Sequence, residues 1–313
     1  MKSLTLLATF PSLVLSTLLA NYESTYDIHT LSLFDTLSLD VINSEMKEDN
    51  YGAALAAYRT GRSTGLESLE DMAKYTANAI SAPDTFLAFS TYYGNDDFFG
   101  HNGTVSAING VGDFDGWEAD ARREGATKIG AYQVVLHRSL QYLHEGIVSC
   151  DNNDKDTGVL LWDKAWALFA GSMEGTDGSG GGRSFYALSD KRCPQFKTCQ
   201  TTSGLAMTNV KILSAWNAGV AAIKSGKCFD AMLERDKIVS QVTVPLIQGT
   251  LREAFETDVD GGWVIADGLV ERAEGWGFAS SLLPWVAICD ESKAKLIHDN
   301  LYINEEPYVK DGE

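Results

Sequence analysis

Leu161-Trp-Asp-Lys-Ala-Trp-Ala-Leu-Phe-Ala-Gly-Ser-Met-Glu174 is the stretch from which the fold of this chain can be read. With Val159 ahead of it, its apolar residues Trp162, Trp166, Phe169 and Met173 recur at alternating three- and four-residue steps, which places them on one face of an α-helix. A fainter copy follows as Arg272-Ala-Glu-Gly-Trp-Gly-Phe-Ala-Ser-Ser281, so one helical unit has been used twice.

The echo extends on the N-terminal side of both copies. Lys128-Ile129 with Ser139-Leu140 through His144-Glu145 is similar to Lys237-Ile238 with Thr250-Leu251 through Phe255-Glu256. Asp154-Lys-Asp156-Thr-Gly158 with Asp163 is similar to Asp258-Val-Asp260-Gly-Gly262 with Asp267. Each half reads as long helix, acidic turn, aromatic-rich helix. Ile129, Tyr132, Leu136, Leu140, Leu143 and Ile147 form a further apolar stripe. Helical patterns also cover about 29–58, 64–80, 203–225, 229–256 and 263–282, with Pro245 expected to kink its helix rather than end it. Strand-like alternation is scarce. The expected fold is all-α: a helical bundle built from two weakly similar halves, 21–175 and 203–313, joined by a Gly- and Cys-containing connector at 176–202. Gly-rich punctuation marks 95–116 and 175–182 as long loops.

Residues 1–20 read as a secretory signal: Lys2 precedes an apolar run ending Leu18-Leu-Ala20, with cleavage expected near Ala20. No later stretch approaches the roughly 20 apolar residues of a membrane span. The expected location is therefore outside the cytosol, as a secreted, periplasmic or cell-surface protein. Asn102-Gly-Thr104 would then be a usable glycosylation sequon. A net charge of −18 argues against nucleic acid or an anionic membrane as partner and is expected mainly on a solvated exterior. Cys150, Cys193, Cys199, Cys228 and Cys289 predict two disulfides and one unpaired thiol, with pairing open, although Cys193 and Cys199 are close enough to pair locally.

Several groups of residues could bind a cation. From Glu256, ligand-type residues fall at calcium-loop positions one, three, five and twelve (Glu256, Asp258, Asp260, Asp267), with Gly261 at position six. From Asn152 the same count gives Asp154, Asp156 and Asp163 without the glycine; Asx turns and helix N-caps account for either pattern. Tyr92-Tyr93-Gly-Asn-Asp96-Asp97-Phe-Phe-Gly-His101 collects phenol, carboxylate and imidazole, ligand types that suit ferric iron. Glu271 with Glu274, and Glu67 with Glu70, are spaced to share a helix face. His137, Gln141, His144 and Glu145 line one face too, but the histidines stand on the order of 10 Å apart and read as surface or satisfied groups. No Gly-x-Ser-x-Gly elbow, His-Glu-x-x-His or Gly-x-x-x-x-Gly-Lys loop is present, and Gly178 to Arg183 reads as a flexible connector.

Three segments carry a resemblance to a known family: Trp162 to Gly175, Val242-Thr-Val-Pro-Leu-Ile-Gln-Gly-Thr-Leu-Arg252, and Arg272 to Pro284, with Tyr92-Tyr93-Gly94 and its acidic neighbours. Together they resemble the algal secreted iron-assimilation proteins, also described as high-carbon-dioxide-inducible periplasmic proteins and related to phytotransferrins. The resemblance implies a helical, non-enzymatic protein that binds or concentrates ferric iron for uptake, with a cell-surface transporter or reductase as partner. In the phytotransferrin relatives, carbonate accompanies the iron as a synergistic anion. On this reading Tyr93, Asp96 and Asp97, with Glu174 at the end of the signature helix, supply oxygen ligands. A calcium-binding structural or adhesive cell-surface protein, and an extracytoplasmic hydrolase, stand as the alternatives.

Overall fold

The computed structural model describes residues 17–27, 36–61, 67–79, 81–257 and 265–305, and it is all-α apart from one two-stranded hairpin. The helices are α1 (Thr36–Lys47), α2 (Tyr51–Thr60), α3 (Leu69–Ala77), α4 (Asp84–Tyr92), α5 (Phe99–Asn109), α6 (Ala119–Ile129), α7 (Leu136–Asp151), α8 (Lys155–Ala170), α9 (Phe185–Arg192), α10 (Met207–Lys224), α11 (Cys228–Glu256), α12 (Ile265–Cys289) and α13 (Glu291–Leu301). A π-helical segment, Gly130–Val135, joins α6 to α7 without a break.

The opening stretch forms α8, and its stripe is core as expected: Val159, Trp162, Trp166 and Phe169 are buried, whereas Met173 lies beyond the helix end and is exposed. Helix α8 pairs with α7, and α11 pairs with α12, so both halves contain the helical hairpin that the echo predicts. The halves do not form separate cores. Helix α12 packs on α6, α11 packs on α7, and a single cluster of buried apolar residues runs from Leu19 to Ile303.

Local sequence explains several boundaries. Ser68 accepts from Asp71 N at 3.0 Å while Asp71 Oδ2 accepts from Ser68 N at 3.2 Å, a capping box that starts α3. Asp154 Oδ1 accepts from Thr157 N at 3.1 Å and caps α8, so the acidic turn there is an N-cap. Pro245 sits inside an uninterrupted α11. The single helix expected over 29–58 is two, parted at Asp49, whose φ of 58° is left-handed.

Two expected loops are partly helical. The 95–116 stretch contains α5, and Gly100 within it serves contact, since its Cβ would lie 2.8 Å from Gln133 O, whereas Gly110, Gly112 and Gly116 hold the left-handed turns that follow the helix. The connector contains α9. Its glycine-rich start is a fixed turn, because the Glu174 carboxylate accepts from Gly182 N at 2.7 Å and a Cβ on Gly180 would strike Met173 O.

Disulfides join Cys150 to Cys228, tying the end of α7 to the start of α11, and Cys193 to Cys199; Cys289 is free and exposed. Two disulfides point to folding in an oxidising compartment. No described helix is long and apolar enough to cross a membrane.

The residues around the expected cleavage point are structured. Strands β1 (Leu18–Leu19) and β2 (Tyr22–Glu23) are antiparallel, and the turn between them, Ala20-Asn21, has positive φ at both residues. Leu19 O accepts from Trp166 Nε1 at 2.9 Å, Ala20 N donates to Gly175 O at 2.8 Å, and Leu19, Ala20 and Tyr22 are fully buried. A cut after Ala20 would remove part of the core that surrounds the signature helix.

Candidate metal centre

Glycines in α12 decide what meets what. In Glu274-Gly275-Trp276-Gly277, a Cβ on Gly275 would lie 3.1 Å from Glu253 Cβ, and one on Gly277 would lie 2.6 Å from Lys128 Cβ. On α11, a Cβ on Gly249 would lie 2.8 Å from the Phe278 ring. Small residues therefore let α12 settle against α11 and α6, and the charged residues beside those glycines converge. Phe278 stacks on Tyr132 of the π-helical segment, with ring centroids 5.5 Å apart, and Gln133 Nε2 donates to Ser280 Oγ at 2.9 Å.

The convergence brings Glu253, Glu271 and Glu274 together: one carboxylate oxygen from each lies within 4.8 Å of the others. Glu271 and Glu274 owe this to their three-residue spacing on α12. Glu253 is fully buried, and its Oε1 accepts from Arg192 Nη2 at 2.9 Å and from Arg252 Nη1 at 2.5 Å. Its Oε2 is buried with no hydrogen-bond partner among the described residues. Glu274 Oε1 lies 3.1 Å from Lys128 Nζ and 3.3 Å from Arg192 Nη2.

Burial and the charge of Glu274 push the Glu253 carboxyl up to about 7. Burial also acts to raise Glu274, but Lys128 and then Lys191 hold it below the ordinary range. Glu271 is raised by burial and then by Glu274. Arg192, Arg252 and Lys128 offset part of the negative charge of these carboxylates, and a hard cation among them would also partner the unpaired Glu253 oxygen.

The tyrosine-rich segment does not supply a matching ligand set. Tyr93 is half-buried at the α4 C-terminus and donates its hydroxyl to Ser280 O at 2.6 Å; desolvation raises its pKa, so it stays a neutral phenol. Tyr92 packs edge-on against the Tyr93 ring and is raised by burial and then by Asp299. Asp97 accepts from Ser90 Oγ at 2.5 Å, while Asp96 accepts from Phe98 N and Asn102 Nδ2, both at 2.8 Å. His101 Nδ1 lies 3.0 Å from Tyr58 Oη. These side chains serve helix ends and packing. Among the described residues, no group of three acids and imidazoles forms there.

Other candidates disperse as well. Glu174 is buried and satisfied by the Gly181 and Gly182 amides, far along its own turn rather than beside Tyr93. Glu67 bonds Arg138 Nε at 3.1 Å and Glu70 pairs with Lys74, so they do not share a cation. Asn102 is exposed but sits in α5, its amide on Asp96 and its partner Thr104 buried, so the sequon is helical rather than in an open loop. Asp258 and Asp260 lie outside the described residues, as does the side chain of Asp267, so the calcium loop from Glu256 has no described geometry. Asp163 is buried and accepts from Tyr22 Oη at 2.5 Å and from the Thr25 and Tyr26 amides.

Glu253 is the residue that sequence reading missed. Its signal is position: it follows Gly249 by one helical turn, on the face where α12 makes close approach. The chain matches no family model, no curated protein and no solved structure.

Proposed function

We propose that this protein is an extracytoplasmic binder of ferric iron, holding the ion through Glu253, Glu271 and Glu274 and delivering it to a cell-surface transporter or reductase. The observation that carries the reading is the buried, unpartnered Glu253 Oε2 within a group of three carboxylates. Oxygen-only ligands suit a hard, highly charged cation, and the paired disulfides suit an oxidising compartment in which iron is ferric. The segments that resemble secreted iron-assimilation proteins include α12, the helix that supplies two of the three carboxylates. The role is carriage rather than catalysis, with carbonate as a candidate to complete the coordination.

Titration of purified protein with ferric citrate, with and without bicarbonate, tests it. Saturable, stoichiometric binding is expected, abolished in Glu271→Gln and retained in Tyr93→Phe. Binding of calcium but not iron would instead favour the structural or adhesive role, and no saturable binding of either ion would sink the proposal.

A further inference from the structure

Beside Arg192, a cavity of about 80 Å³ is lined by Lys128, Arg183, Lys191 and Arg192, with Tyr132 and Ser184. In a chain of net charge −18, four cations line this one small cavity, and Lys191 is the one with no ion pair among the described residues. The carboxylates that pair with these cations stand outside it. Asp40 binds Arg183 at 2.7 Å, Glu124 and Glu274 bind Lys128 at 3.2 and 3.1 Å, and Glu253 binds Arg192 at 2.9 Å; none of them lines the cavity.

Three features leave donor capacity unspent. Arg192 is fully buried, and although Nη1 donates to Gln195 and Nη2 to Glu253 and Glu274, its Nε has no partner among the described residues. A buried unsatisfied guanidinium N–H is costly unless something accepts from it. Lys191 forms no ion pair among the described residues and extends along the wall of the same cavity. Helix α9 starts here with its first amides uncapped, because the Ser184 hydroxyl donates back to Ala170 O instead. An uncapped helix start presents amide donors and positive dipole charge to the residues around it.

We infer that this cavity binds a tetrahedral oxyanion of phosphate size. The unpaired Arg192 Nε and the Lys191 ammonium would both donate to it, beside the amides that open α9. Arg192 links the two sites, since it lines the cavity while its Nη2 holds Glu253 and Glu274. The oxyanion site needs no metal, so it stands or falls apart from the iron reading.

The test is isothermal titration of chelator-treated protein with inorganic phosphate, with glycerol phosphate, and with bicarbonate. Saturable phosphate binding is expected, weakened about tenfold or more in Lys191→Gln, an exposed position whose replacement should leave the melting temperature unchanged. Glu271→Gln should keep phosphate binding while losing iron. Glycerol phosphate binding as tightly as phosphate assigns the site to a terminal phosphate group, and exclusion of glycerol phosphate assigns it to the free ion; either supports the inference. Absence of phosphate binding, equal affinity in wild type and Lys191→Gln, or tighter binding of bicarbonate than phosphate would each overturn it.

Discussion

Trp162 and Trp216 hold each other by a reciprocal pair of hydrogen bonds: Trp162 Nε1 donates to Trp216 O at 3.1 Å, and Trp216 Nε1 donates to Trp162 O at 3.2 Å. Both indoles are fully buried, and a Cβ on Gly219 would come within 2.2 Å of the Trp162 ring. Helices α8 and α10, from different halves of the chain, are thus locked by two donors that could find no water at this depth.

Replacing either tryptophan with phenylalanine keeps most of the apolar area but removes one of the two interhelical bonds, leaving the facing carbonyl with only its own helical amide. Each substitution should cost about 1–3 kcal/mol of stability. Urea unfolding of both single variants and the double variant measures the coupling; strictly additive costs would show that the two bonds do not act together.

Gly277→Ala should loosen the candidate metal centre. Its methyl group would press on Lys128 Cβ, 2.6 Å away, where α12 meets α6. A loss of about 1–3 kcal/mol is expected from overpacking. Ferric binding should weaken with it, because Glu274 is carried on the displaced turn. Gly52→Ala, where a Cβ meets nothing within 4 Å, serves as the control with unchanged binding.

His137 should impose an acid-side loss of stability. It is buried among Phe86, Phe89 and Phe99, neither ring nitrogen has a partner among the described residues, and burial lowers its pKa from 6.5 to about 3. The folded protein therefore refuses a proton that the unfolded chain accepts below pH 6.5. The stabilisation is whole above that pH and declines as pH falls towards about 3. By pH 4.5 the loss should reach about 3 kcal/mol. Glu253, raised to about 7, acts in the opposite sense, being favoured in its neutral form as pH falls. The measurement is thus the difference between wild type and His137→Leu at pH 7 and 4.5; a difference that does not change with pH would refute the assignment.

The mature protein should retain Leu18 to Ala20. Leu19 O satisfies the buried Trp166 indole and Ala20 N anchors on Gly175, so their removal would open the core beside α8. N-terminal sequencing of the protein isolated from its native source should begin at or before Leu18. A start at Asn21 in a protein of undiminished thermal stability would overturn this prediction.

The helical fold was legible because burial and chain geometry agree locally. The three- and four-residue spacing of Val159, Trp162, Trp166 and Phe169 has one economical reading, and the buried face of α8 follows it. The candidate site was half legible: Glu271 and Glu274 share a face by spacing alone. Their partner Glu253 lies on another helix, and charge patterning along one helix cannot report a neighbour across the core. His137 was misread as surface or satisfied for the same reason, since its helix is covered on that face by the Phe86, Phe89 and Phe99 cluster.

By itself the sequence determined the helical class, the paired hairpins, the number of disulfides and the acidic exterior, all of which follow from periodicity, composition and short-range chemistry. Tertiary structure alone decided which glycines are hinges and which are contacts. Gly100 reads as loop punctuation and Gly249, Gly275 and Gly277 lie inside helical patterns with no role legible, yet each admits a neighbouring segment where a methyl group would crowd it. That close approach sets Glu253 beside Glu274 and Lys128 beside Arg192, so interhelical distance determines where the charges of this chain become a site.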